Sequence, residues 1–211
     1  MLELKNVSNI EKSGICKDIS FQLESGFLLG IVGKNGAGKT TLLKTILGNR
    51  KSEGNIFWNE KDTKVHTYEF QQKIAYISED APFLPNERVD TNVQIFQTLY
   101  SEFDEEIFYS ELGQRKVSRK TQLDHLSRGQ FLGFQLAFAK AHHAQLYLLD
   151  EVTAGMDVVF RKDFYQFLRE RLEENATILM TTHLQADLDK IADYVAVMEQ
   201  GKITNFFENL R

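Results

Sequence analysis

The 211-residue sequence holds one cysteine, two prolines and no run near the ~18 consecutive apolar residues that a membrane-spanning helix requires. The single thiol, Cys16, excludes an internal disulfide framework and fits a reducing compartment; it reads as a packed small apolar residue. The opening MLELKNVSNIEKSG lacks the basic-then-apolar order of a signal peptide, so a cytoplasmic location is expected. A basic surplus is also missing. The formal net charge is −5, whereas binding to a phosphate backbone ordinarily shows as a basic surplus or stripe, so no nucleic-acid partner is expected. No internal repeat, low-complexity tract or linker interrupts the chain, and 42% of it is apolar. That suffices to bury a large core in one domain spanning 1–211, with room for a small subdomain.

What is present has the rhythm of an α/β chain. LELKNV, ISFQL and GNIFWN read as short strands of a small antiparallel layer, separated by turn-prone residues. FLLGIVG, KIAYIS, LYLLD and TILMTTH are apolar runs of the kind found in buried parallel strands. Lys39–Leu47 reads as a helix closed by Gly48, and Phe160, Phe164, Phe167, Leu168 and Leu172 recur at helical spacing. From Ala81 to Leu126 strand signals are lacking. Val93, Phe96, Leu99, Tyr100 and Phe103, then Ile107, Phe108 and Leu112, predict two amphipathic helices there, in a mostly helical subdomain over about 81–126.

Three segments carry chemistry. GKNGAGKTT at 33–41 fits G-x-x-x-x-G-K-[ST], follows an apolar strand and opens a helix, which is the context a phosphate-binding loop requires. Gly33, Asn35, Gly36, Ala37, Gly38, Lys39, Thr40 and Thr41 are the candidate nucleotide-binding residues. The glycines let successive amides converge on a polyphosphate, Lys39 suits its β- and γ-phosphates, and the Thr40 hydroxyl suits Mg²⁺. QLYLLDEVTAGMD places Asp150 and Glu151 at the C-terminal tip of a buried strand, where ligands bind in open α/β sheets. Asp150 is the candidate for the magnesium shell. Glu151, across the pleat or at the start of the turn, is the candidate base for a water attacking the γ-phosphate. His183 ends TILMTTH at the same rim. His66, His125, His142 and His143 show no ligand spacing and read as solvated or packing residues.

A second small-residue segment, DHLSRGQ at 124–130, precedes the acidic pair. Alone it is a helix start capped by Ser127. The order of 33–41, LSRGQ, LYLLDE, TAGMD and His183 resembles the ATP-binding-cassette (ABC) ATPases, the nucleotide-binding subunits of ABC transporters, over essentially the whole chain. Among them FDEEIF and the run from Leu126 to Asp157 are most similar to the ATPases of ABC-2-type bacterial exporters.

The resemblance implies a P-loop NTPase core with a mostly parallel sheet, an antiparallel β layer and a helical subdomain. It implies ATP and Mg²⁺ as ligands and two cassettes packed head to tail, as a homodimer or as a heterodimer with another ABC ATPase. In that arrangement Ser127, Arg128, Gly129 and Gln130 form the signature that meets the γ-phosphate held by Lys39 of the partner chain. Glu151 matches the catalytic glutamate, His183 the switch histidine and Asp157 the D-loop aspartate. Glu79 stands where a glutamine is usual and is a candidate for magnesium or water. Val152 replaces a usual proline, Arg128 a signature glycine, and no aromatic lies between Lys5 and Ser20 to stack on adenine. A separate transmembrane permease is implied, with the chain peripheral on the inner face of the membrane. Phe83, Leu84, Val93, Ile95 and Phe96 are candidates for the groove that receives it. Two other readings remain: a nucleotide-dependent assembly module with little turnover, and a non-transport ABC ATPase.

Overall fold

The computed structural model describes residues 1–11, 15–156 and 158–209. The first strands, β1 (Leu2–Asn9) and β2 (Ile19–Leu23), bury Leu2, Leu4, Val7, Ile19 and Leu23, pack a half-buried Phe21 against the same core and leave Ser20 and Gln22 exposed between them. Such alternation belongs to a sheet with one covered face. β3 (Leu28–Val32) is instead buried through Ile31. It runs through a glycine-rich loop into α1 (Lys39–Ile46), which stops at Leu47 and Gly48 where the amide of Asn49 donates back to the Lys44 carbonyl. β4 (Ser52–Trp58), β5 (Lys61–Asp62), α2 (Thr67–Gln72) and β6 (Ile74–Ile77) follow. Next come α3 (Val89–Phe96), α4 (Glu105–Gln114) and α5 (Arg128–Ala141). The chain then alternates through β7 (Leu146–Asp150), α6 (Val158–Glu173), β8 (Thr177–Thr182), α7 (Gln185–Leu188), β9 (Tyr194–Glu199) and β10 (Lys202–Glu208).

Among the described residues these strands form two sheets. The antiparallel one has the order β2-β1-β4-β5, and the larger one β10-β9-β3-β8-β7-β6. All neighbours in the larger sheet are parallel except β10, which pairs antiparallel with β9. One core lies between the two sheets, where Leu2, Leu4, Ile31, Leu42, Leu148 and Leu179 meet. A second covers the opposite face, with Tyr147, Leu149, Ile178 and Met180 against Phe164 and Leu168 of α6. The register fixes the site: Asp150 at the end of β7 lies opposite Thr181 of β8, and Ile77 near the end of β6 opposite Leu149.

The helical cluster is built on α5, which is apolar on two faces. Leu132, Leu136 and Ala139 join the sheet core, while Phe134, Ala137, Phe138 and Ala141 pack with Val93, Phe108 and Leu112. A fully buried phenylalanine such as Phe108 or Phe134 contributes about 1.5–3 kcal/mol. The first predicted helix stops at Phe96 and gives way to a single tighter turn over Gln97–Leu99. The physical reason is Tyr100, whose extended backbone lets its ring stack on His142 with centroids 4.0 Å apart.

Candidate active site

The loop between β3 and α1 is held open by backbone geometry that only glycine satisfies. Gly38 has φ +109°, and a Cβ there would stand 2.1 Å from the Ile15 carbonyl oxygen; one on Gly33 would stand 2.4 Å from that of Met198. Asn35 and Gly36 are exposed at the tip, Ala37 and Gly38 are buried beneath it, and Thr40 and Thr41 begin α1, whose first amides have no partner inside the helix. Lys39 is only 3% exposed, so its ammonium needs partners. It finds three: the carbonyls of Gly33 (2.7 Å) and Lys34 (3.2 Å), and Glu151 Oε1 (3.0 Å).

The acidic pair at the tip of β7 meets this lysine and the first turn of α1. Asp150 Oδ1 accepts from the hydroxyls of Thr40 (3.0 Å) and Thr181 (2.7 Å), and Oδ2 from the Tyr76 hydroxyl (3.0 Å). Burial first, and the charge of Asp150 second, raise the Tyr76 phenol above its ordinary range, so it remains a donor. Thr181 Oγ1 also accepts from the Glu151 amide at 3.1 Å, so one side chain holds the Asp150 carboxylate and the Glu151 backbone. Glu151 Oε2 lies 3.3 Å from His183 Nδ1. Lys39, Thr40, Asp150, Glu151 and His183 are thus brought together from α1, β7 and the end of β8. Tyr76 and Thr181 join them without having been singled out in the sequence. The available signal was the tyrosine in KIAYIS and the hydroxyls in MTTH, but their relevance depends on strand register.

The signature segment is placed differently. Ser127 caps α5, its Oγ accepting from the Gln130 amide at 3.2 Å while Gln130 Oε1 accepts from the Ser127 amide at 3.0 Å. Gly129 faces the Phe160 ring, and Arg128 Nε pairs with Glu79 Oε1 at 2.6 Å. Among the described residues no hydrogen bond or ion pair joins 127–130 to 33–41. Glu79 accordingly stands apart from the Asp150 group and pairs the two departures from the family pattern with each other. Asp157 lies outside the described residues. Along the later turns of α5, and between them and β6, runs a groove of about 830 Å³ lined by Tyr76, Asp80, Phe83, Phe96, Tyr100, Phe138 and His142. Of the candidates for a permease groove, Phe83 and Phe96 line this one, whereas Val93 is fully buried in the helical cluster and Leu84 and Ile95 are exposed outside its lining.

The donor set suits a hard divalent cation. Asp150 and Thr40 offer a carboxylate and a hydroxyl already in contact, and among the described residues no group of three or more His, Cys, Asp or Glu residues forms a metal cage. Magnesium, which keeps several waters and takes substrate oxygens, needs only one or two such protein ligands.

A glycine-held loop opening a helix, with an acidic pair at the tip of a parallel strand one place removed in the sheet, defines a nucleotide-binding cassette of P-loop type. The family model described as ABC transporter matches residues 16–154, and the chain belongs to that family as an ATP-binding subunit. The ABC transporter ATP-binding protein YtrB of Bacillus subtilis is 29% identical over 211 residues, 99% of this chain and 72% of YtrB. The methionine import ATP-binding protein MetN 2 of Acinetobacter baylyi is 30% identical over 222 residues, 96% of this chain and 64% of that protein. Of the ribose import ATP-binding protein RbsA of Bacillus cereus, 28% identical, the chain spans 43%. In fold it matches the dimeric post-hydrolysis structure of the cassette MJ0796 bound to ADP and phosphate, with a TM-score of 0.86 at 20% identity and full coverage of both chains.

Proposed function

We propose that this chain is a Mg²⁺-dependent ATPase that hydrolyses ATP between two head-to-tail cassettes and thereby drives a separate membrane permease in the export direction. The observation that carries the reading is the contact of Glu151 with both Lys39 and His183, beside an Asp150 already joined to Thr40. An arriving γ-phosphate competes with Glu151 for the Lys39 ammonium, whose three donors are all in use. Releasing Glu151 from that ion pair leaves its carboxylate free to take the proton of an attacking water, with His183 at its other oxygen. Thr40 and Asp150 would hold Mg²⁺, which supplies positive charge to the phosphate oxygens.

Dimerisation is supported by Ser127 and Gly129, which lie outside the chain's own nucleotide cradle, and MJ0796 is described as a dimer. The second cassette is either a copy of this chain or another ABC ATPase. The structure of cbiO1 from Clostridium perfringens, TM-score 0.79, is described as part of a transporter complex, cbiONQ. No helix among the described residues is long and apolar enough to cross a membrane, so a permease in another chain fits, with this chain peripheral on the cytoplasmic face. Export is inferred from the resemblance of FDEEIF and the 126–157 run to exporter ATPases. The similarity to import proteins such as MetN 2 and RbsA is of the cassette as a whole. The test is steady-state hydrolysis by the purified chain with Mg²⁺, with the metal chelated, and with its co-purified permease. Metal-dependent turnover that the permease changes supports the reading; ATP binding without turnover in every condition rejects it.

A further inference from the structure

We propose that Asp187 is a positioning residue for the Glu151–His183 pair, its buried carboxylate clamping Thr153, two residues beyond Glu151, to the short helix that follows His183. The proposal rests on reading Glu151 as the base that activates water. Glu151 has φ +51°, in the left-handed region that residues with a side chain seldom adopt. Such a backbone persists where its surroundings over-determine it.

On the N-terminal side the constraint is β8, because the Glu151 amide reaches both the carbonyl (3.2 Å) and the hydroxyl (3.1 Å) of Thr181. On the C-terminal side it is Thr153, 1% exposed, whose hydroxyl donates to Asp187 Oδ2 at 2.6 Å. Asp187 is itself 3% exposed. Its other oxygen accepts from Arg161 Nη1 at 3.2 Å and from the Tyr165 hydroxyl at 3.4 Å. Burial, then the charge of Asp187, pushes the Tyr165 phenol up to about 12, so it stays a donor.

Asp187 follows His183 by four residues, and the turn between them is fixed by the Leu184 amide on Thr182 Oγ1 and the Asp187 amide on the Leu184 carbonyl. Arg161 also reaches the Met156 carbonyl at 3.4 Å. One carboxylate therefore joins the turn after β7, the turn after β8 and helix α6. A buried ion pair is weak as a source of stability, because desolvation offsets the attraction. What this one does is hold two turns, each carrying a residue of the Glu151–His183 contact, in one relative position.

The test measures kcat, KM and ATP-analogue affinity on the full chain for Thr153→Val, Thr153→Ser, Asp187→Ala and the double variant Thr153→Val/Asp187→Ala, with Glu151→Gln alongside. Thr153→Val and Asp187→Ala should each lower kcat about 10–100-fold, the scale of a small misplacement of a reacting group, with KM and ATP-analogue affinity changed less than about twofold. Thr153→Ser, which keeps the hydroxyl, should stay within about threefold of the unaltered chain. The double variant should be no worse than Asp187→Ala, because both changes break one contact. Should Asp187→Ala not fold, the contrast between valine and serine at 153 decides alone. A folded Thr153→Val with unaltered kcat, a loss that serine does not restore, or multiplicative losses in the double variant would overturn the clamp. Full turnover by Glu151→Gln would instead overturn the reading of Glu151 on which the clamp rests, so the two failures are told apart.

Discussion

The loop at 33–41 and the turn at 126–130 both open a helix with small residues and a hydroxyl, yet their side chains are employed in opposite ways. At the first, a lysine buried to 3% exposure and the Thr40 hydroxyl are engaged by Glu151 and Asp150 at the tip of β7. At the second, Ser127 and Gln130 satisfy each other, and the one charged residue, Arg128, is 46% exposed and paired with a Glu79 that is 68% exposed. The first cradle is complete within one chain, down to the carboxylates that would hold a metal and a water. The second has a finished helix cap and, among the described residues, one outside charge engaged with it, Glu79 at Arg128. Under the proposed function the first turn is the reacting centre and the second completes the site of a partner cassette.

The comparison can be broken at its strongest point first. Glu151→Gln should lower turnover about 10²–10⁴-fold while leaving ATP bound, since it removes the base but neither Lys39 nor Asp150. Undiminished hydrolysis would mean that the first cradle is not the reacting centre.

Acid should separate the two cradles. His142, at the far end of the signature helix, is 2% exposed and stacked on Tyr100, and burial lowers its pKa from 6.5 to about 4. The folded chain therefore favours the neutral ring. Its contribution, on the order of 3 kcal/mol for a shift of this size, is present above pH 6.5 and is lost as pH falls from there towards 4. Amide exchange in α5 should accelerate over that window before exchange in α1 does, and His142→Phe, which keeps a ring against Tyr100, should flatten the dependence. Equal acceleration in both helices would show that the signature helix is not separately held.

The smallest effect belongs to the exposed pair. Glu79→Gln should change unfolding stability by less than about 1 kcal/mol, as expected of a solvent-screened ion pair. A larger change in denaturant midpoint would mean that the loop after β6 and the signature turn are tied more firmly than their exposure indicates.

The legible and illegible parts of this molecule divide by range in sequence. Local spacing located the glycine loop, the acidic pair and the apolar strands β3, β6, β7 and β8, because each writes its pattern in consecutive residues. The edge of the sheet was not legible: β10 exposes six of its seven residues and half-covers the other, Ile203, so its sequence KITNFFE carries no buried run. β9 is apolar over Val195–Met198 and is closed by a turn at Gln200–Gly201, a signal that was passed over. Tyr76 and Thr181 were missed as partners of Asp150 because their role follows from three strands lying in register, which no single stretch records. The same holds for Asp187, whose four contacts come from segments 22–34 residues away. Glu79 was placed by analogy of position beside the metal, and its carboxylate meets the arginine that replaces a signature glycine. The two departures are distant in sequence, and their proximity belongs to the fold.

The measurement that bears most directly on the account is occlusion of ATP by mixed dimers. One subunit carries Ser127→Arg, which blocks its signature, and the other Lys39→Ala, which removes a charge-assisted contact from its loop, both in a slow-hydrolysis Glu151→Gln background. Each homodimer has one damaged half at every site and should trap no nucleotide. In the mixed dimer one site gathers both defects, while the other joins an intact Lys39 to an intact Ser127, so about one ATP per dimer should be trapped, as two-fold symmetry requires. A verified mixed dimer that traps none would contradict the head-to-tail arrangement and leave 126–130 as no more than the capped start of α5.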